Sequence, residues 1–141
     1  MKEGITSMIG YITIGTNDIE KSAKFYDELF KLLGIERMMD FDSYIAWGKQ
    51  DGSAGFSITK PFDGKHATVG NGVMIGLAAS SPEEVDKVYK KAMELGAIDE
   101  GPAGYRDEMK GFYAGYFRDL DGNKINIHHI SMEDLNDFVS K

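Results

Sequence analysis

The sequence predicts an α+β fold built from two βαβββ modules and a short C-terminal helix. Three observations carry that reading. Strand-like and helix-like patterns follow one another in the same order twice. Each helix opens on a capping signal. Matching positions in the two halves stand a constant 63 residues apart, as for Tyr26 and Tyr89, Ile12 and Ile75, and Asn17 and Ser80.

The elements follow in order. Ile9 to Gly15 alternates, with Ile12 and Ile14 on one face and Tyr11 and Thr13 on the other, as in a half-buried strand. Asn17 is placed to cap a helix, with Glu20 reaching back three residues later. Ile19, Ala23, Tyr26, Leu29, Phe30 and Leu33 form its apolar stripe, and Gly34 ends it. Ile35–Met39, Ser43–Trp47 and Gly55–Thr59 are short β-prone runs separated by turn residues, and 61–70 is a polar loop. The pattern then restarts with an apolar strand over Gly72–Ala78. Ser81-Pro82-Glu83-Glu84 opens the second helix, which Gly96 ends. Ala97–Glu100 is a brief strand and Gly101–Lys110 a loop. Gly111–Arg118 and Lys124–Ile130 are paired strands around an Asp121-Gly122 turn, and Ser131 opens the last helix. In each half the helix covers one face of its own sheet, and the other faces curl around a shared cavity.

The composition narrows the function. The chain has 141 residues, enough for a single domain over 1–141 with modules at about 8–60 and 70–130. It carries 16 Lys and Arg against 23 Asp and Glu, a formal charge of −7, which opposes nucleic acid or an anionic membrane as partner. There is no Cys, hence no disulfide, thiol nucleophile or thiolate metal site. No apolar run approaches the roughly 20 residues of a membrane span, and residues 1–7 lack the apolar stretch of an export signal, so a cytoplasmic location is expected. Asp119-Leu-Asp-Gly122 begins like a calcium loop but has Lys124 and Ile130 where Gly and Glu are needed.

The order of elements and several words resemble the glyoxalase/bleomycin-resistance/extradiol-dioxygenase (vicinal oxygen chelate) superfamily. The words are Met8-Ile-Gly-Tyr-Ile-Thr-Ile-Gly-Thr-Asn-Asp-Ile-Glu-Lys-Ser-Ala-Lys-Phe-Tyr26, Gly70-Asn-Gly-Val-Met-Ile75 and Phe112-Tyr-Ala-Gly-Tyr-Phe-Arg-Asp-Leu-Asp-Gly-Asn-Lys-Ile125. The resemblance implies two curved mixed sheets related by a pseudo-twofold axis. Its metal enzymes place His, Gln or Glu ligands on the first, fourth, fifth and eighth strands. By motif those positions here are Tyr11, Ser57, Met74 and Asn126, none a good ligand for a divalent transition metal.

What the resemblance implies is therefore a protein that takes a small organic ligand in its concavity without a metal or other cofactor. Bleomycin-resistance proteins, which sequester drugs as dimers, are the precedent, and a homodimer is expected. The expected ligand-binding residues are Tyr11, Ser57, Met74, Arg106, Tyr113, Asn126 and His128, with no catalytic residue assigned. Arg106 either binds a carboxylate or phosphate at the cavity mouth or fixes its loop through Asp107 or Glu108. The aromatics Tyr11, Tyr105, Phe112, Tyr113 and Tyr116, with Trp47, either line a pocket or pack the core. The alternative is an enzyme, a lactoylglutathione lyase-like lyase or isomerase or a dioxygenase, with acid–base work by Tyr11, His128 or Tyr113. A duplicated scaffold without a ligand is the third class.

Overall fold

The computed structural model describes residues 7–140; the polar lead at residues 1–6 lies outside them. The chain divides between Val69 and Gly70 into two compact units.

The first unit runs β1 (Tyr11–Gly15), α1 (Ile19–Leu32), β2 (Glu36–Asp40), β3 (Tyr44–Gly48) and β4 (Gly55–Thr59), and its sheet has the order β1-β4-β3-β2. β1 pairs with β4 in parallel, and the other pairs are antiparallel. The predicted stripe of α1 packs on one sheet face. Tyr26, Leu29 and Phe30 are buried there against Trp47, Phe56 and Ile58. The Tyr26 and Phe56 rings lie 4.6 Å apart, and Phe30 and Phe56 meet edge to face at 5.0 Å. Such ring pairs add about 1 kcal/mol each beyond the area they bury.

The helix begins one residue later than the sequence suggests. Asp18 is the N-cap, its carboxylate accepting from the Lys21 N–H at 3.1 Å. Asn17 is used elsewhere: its carboxamide accepts from the Ala67 N–H at 2.7 Å and donates to the Ala67 carbonyl at 3.2 Å, tying down the 61–70 loop. Either residue type can cap a helix, and the tertiary contact at Asn17 decides between them.

The second unit repeats the plan with β5 (Ile75–Ala78), α2 (Pro82–Glu94), β6 (Ile98–Tyr105), β7 (Tyr113–Arg118) and β8 (Lys124–His129), in the order β5-β8-β7-β6, followed by α3 (Met132–Val139). α2 starts 63 residues after α1, and its cap Ser81 stands at the same offset from Asp18. Ser81 accepts from the Glu84 N–H at 3.1 Å, while the Glu84 carboxylate reaches past it to the Ser80 N–H at 2.9 Å. Val85, Val88 and Ala92 of α2 bury against Phe117, Ile125 and Ile127.

One expectation is corrected. β6 continues to Tyr105 through residues read as loop. It is an edge strand whose register shifts on both sides of Gly101. Gly101 has φ +148, in the region that favours glycine, so the bulge absorbs Pro102 without breaking the pairing with β7.

A polar tie anchors α1 to its sheet. Arg37 on β2 grips Asp27 with Nε at 2.9 Å and Nη2 at 2.6 Å, and the indole N–H of buried Trp47 donates to the same carboxylate at 2.9 Å. Burial pushes the Asp27 pKa up, but the bonds from Arg37 and Trp47 outweigh it and hold it below the ordinary carboxylate value. That stabilisation is present above the ordinary carboxylate pKa and is lost as the pH falls through the lowered one. We expect Asp27→Ala to cost about 2 kcal/mol, because it strands the Trp47 donor and the Arg37 charge. Urea unfolding at pH 7 checks this, and the gap between variant and parent should shrink in acid.

Candidate functional site

Alternation assigns each expected residue to a face. In the first unit Tyr11, Thr13 and Ser57 share the face turned away from α1, since Thr13 stands opposite Ser57 and Ile14 and Ile58 occupy the helix side. Tyr11 is 67% exposed there. Ser57 is fully buried and its hydroxyl is committed. It donates to the Ile12 carbonyl at 2.7 Å, so in its 2.7 Å contact with Thr13 the threonine hydroxyl is the donor. Ser57 is thus a cross-strand tie.

In the second unit the face turned away from α2 carries Ala114 and Tyr116 of β7, Lys124, Asn126 and His128 of β8, and Gly76 of β5. Met74 precedes β5 by one residue and is exposed. Asn126 is buried and stands opposite both Gly76 and Tyr116. Its Oδ1 lies 2.9 Å from His128 Nδ1. An amide oxygen only accepts, so Nδ1 carries the proton and Nε2 keeps its lone pair. Nε2 makes no hydrogen bond among the described residues. The Phe112 ring stacks on the imidazole at 5.5 Å. Burial, and then the neighbouring His129, hold the His128 pKa below that of a free imidazole. His128 is therefore a neutral acceptor near pH 7 with a fixed tautomer.

Gly76 keeps this edge accessible. It is exposed, and a Cβ there would sit 3.0 Å from Asn126 Oδ1 and 3.2 Å from His128 Cε1. Sequence reasoning missed Gly76 and Lys124. The available signals were a glycine inside a strand and the two-residue spacing of Lys124, Asn126 and His128.

The structure places Tyr113 on the other side of this sheet. Its hydroxyl donates to Asp86 of α2 at 2.6 Å, and that bond, with burial, pushes its pKa up to about 12. Tyr89 does the same with Asp99 at 2.7 Å and is also pushed up to about 12, chiefly by burial. Trp47 belongs to the core of the first unit. Arg106 makes no salt bridge to Asp107 or Glu108. It sends Nη2 to the carbonyls of Pro102 and Ala114, each at 2.7 Å, and lies over the Tyr116 ring. A separate cleft of about 440 Å³ in the first unit, beside Lys24, Arg37 and Phe41, contains none of the expected residues.

The donor set does not fit a divalent metal. Ser57 is spent on backbone and Thr13, Asn126 Oδ1 is held by His128, and Met74 is a thioether. Among the described residues no group of three or more His, Cys, Asp or Glu side chains is arranged to hold an ion. No helix among them is long and apolar enough to cross a membrane.

Comparison with known proteins places these features. Residues 8–127 match the family model of the Glyoxalase/Bleomycin resistance protein/Dioxygenase superfamily. A glyoxalase/bleomycin resistance protein from Albidiferax ferrireducens T118 is similar at 39% identity and a TM-score of 0.81, over 89% of this chain and 100% of that one. A hypothetical protein from S. aureus is 26% identical at a TM-score of 0.65, over 89% and 95%. A lactoylglutathione lyase from Agrobacterium tumefaciens shares the fold at 18% identity and a TM-score of 0.64, over 88% and 94%. No curated protein matches significantly.

The imidazole makes a direct prediction. Nitrogen-detected NMR titration should give His128 a midpoint below that of free histidine and a predominant Nδ1–H tautomer. Asn126→Ala should mix the tautomers. Because the folded pKa is depressed, the part of stability tied to neutral His128 is full above the ordinary histidine pKa and declines as pH falls through the lowered one.

Proposed function

Because the chain belongs to the glyoxalase/bleomycin resistance protein/dioxygenase superfamily, we propose that it binds a small organic ligand, without a metal, on the face of the second sheet that carries Asn126 and His128. The observation that carries this reading is the Asn126–His128 pair at 2.9 Å, with Nε2 making no hydrogen bond among the described residues, the Cε1 and Nδ1 edge of the ring beside exposed Gly76 and its face against Phe112. A neutral imidazole with one nitrogen fixed as donor offers the other as a directed acceptor, and an adjoining aromatic ring supplies apolar contact. The same face presents Met74 at its margin, a soft side chain that adapts to a ligand's shape.

A thermal-shift screen of small metabolites and drugs tests the proposal. A compound at 100 times its dissociation constant raises stability by about 2.7 kcal/mol. The expected result is at least one hit whose shift is lost in Gly76→Val, which fills the space beside the pair, and reduced in Asn126→Ala. Hits that ignore both substitutions overturn the reading. Consumption of a hit on prolonged incubation would favour the lyase or isomerase class instead.

The protein is further proposed to be a homodimer. β2 is an edge strand whose residues are all exposed, and it carries Met38 and Met39 beside Phe41, with Phe41 63% exposed. Apolar edge strands of this kind are normally covered. Light scattering is expected to give twice the 15.6 kDa chain mass at micromolar concentration, and Met38→Lys with Met39→Glu should return the monomer. A parent protein that scatters as a monomer counts against it.

A further inference from the structure

Two cations on the face turned away from α2 make no close ion pair among the described residues, although Asp99 feels the charge of Arg106 and Glu100 that of Lys124. Arg106 follows β6 and folds back over β7. Its Nη2 donates to the carbonyls of Gly101, Pro102 and Ala114, which fixes the side chain on neutral acceptors. Its Nε is buried without a hydrogen-bond partner. The guanidinium carbon lies 5.0 Å from the centre of the Tyr116 ring, and Lys124 Nζ lies 5.9 Å from the same ring. Neither cation makes an ion pair among the described residues, although acids outnumber bases 23 to 16 in the chain. Arg118, on the same face, has its carboxylate, Glu100 at 2.8 Å. Cations without a close ion pair are a place for an anion, and Arg over an aromatic ring is held ready for one.

These cations share their face with the free acceptor. Tyr116 stands directly opposite Asn126, and Asn126 holds His128 two residues further along β8. Two residues of strand span roughly 7 Å, which sets the distance between the cationic ring site and the imidazole. A ligand satisfying both must carry a negative group at one end and a hydrogen-bond donor several bonds away.

Resting on the ligand site proposed above, we infer that the ligand is a small organic anion with a distal hydroxyl: its carboxylate lies against Lys124 and Arg106 beside Tyr116, and its hydroxyl donates to His128 Nε2. A flexible chain of four to six carbons bridges that interval. A 2-hydroxy acid, whose two groups sit on adjacent carbons, is too short to use both.

The test is an NMR titration of the full chain with a set of probe compounds. The expected result is that 5-hydroxypentanoate binds about fivefold or more tighter than pentanoate and 5-methoxypentanoate, and shifts the His128 ring and the Lys124 amide. The methoxy probe removes only the donor, so this comparison needs no mutant. Lys124→Met should weaken all three acids, and His128→Phe should abolish the advantage of the hydroxyl while sparing pentanoate. Equal affinity of the hydroxy and methoxy acids overturns the assignment to His128. Tighter binding of neutral pentane-1,5-diol, or indifference of the acids to Lys124→Met, overturns the anion assignment. If the screen hits depend on Gly76 and Asn126 while these acids leave His128 unshifted, this inference fails and the ligand site stands. If nothing in either experiment moves His128 or Asn126, both fall together.

Discussion

The helical crossover between the first two strands of each unit is the constraint on which the rest depends. α1 carries the chain from β1 to β2, and α2 from β5 to β6, yet in both sheets those strands occupy opposite edges. Three strand spacings, roughly 14 Å, separate them, which a helix lying across the sheet can cover and a hairpin cannot. The gap is filled from the far edge inward by two antiparallel steps, so the last strand meets the first in parallel. That closing pair fixes the register in which Gly76 faces Asn126 and Ala78 faces His128. A one-residue slip would turn Asn126 and His128 toward α2 and bring Ile125 and Ile127 to the surface, so burial of those two isoleucines holds the polar pair in place.

Local chemistry was legible where a residue type has few alternatives. Ser81 before Pro82, Ser131 before the last helix, and the apolar stripes of α1 and α2 all lie where their pattern puts them. The sequence was less informative where two residues compete or where pairing decides. Asn17 and Asp18 are equivalent as caps until the Ala67 backbone claims Asn17. β6 extends past Glu100 because β7 offers a partner to an irregular, glycine- and proline-containing segment, which no local propensity encodes. Tyr113 and Tyr116 were grouped as aromatic neighbours, yet their odd spacing puts them on opposite faces of β7, a distinction the period of two already contained. The Asn126–His128 bond, by contrast, follows from their even spacing and was readable in part.

Charge is distributed unevenly between the two faces of the second sheet. On the helix side, carboxylates are used as acceptors: Asp86 for Tyr113 and Asp99 for Tyr89. The bond from Tyr89 lowers the Asp99 pKa, while burial at Tyr89 and the bond to Asp86 at Tyr113 push both tyrosines up to about 12, so both phenols stay protonated across the physiological range. On the opposite face Glu100 is bound to Arg118 and also feels Lys124, while Lys124 and Arg106 lie over the Tyr116 ring without a close ion pair among the described residues.

At the positions that the sequence resemblance maps onto metal ligands, the residues of this chain do more than remove donors. A His or Glu at the position of Asn126 would present a lone pair or a charge to an ion. Asn126 instead spends its oxygen on His128 and thereby decides which imidazole nitrogen keeps its lone pair. The orienting partner of a catalytic or metal-bound histidine is ordinarily a carbonyl or carboxylate behind the ring. Here a carboxamide does the same work for a histidine that faces the accessible edge beside Gly76. Ser57, at the corresponding strand of the first unit, is likewise turned inward on its own sheet through Ile12 and Thr13. Both polar side chains are consumed in fixing local geometry, and of the two only Asn126 leaves a neighbouring acceptor oriented and free. At the site proposed above, the groups left to recognise a ligand are the histidine and the cations around Tyr116, which select by hydrogen-bond donor and charge.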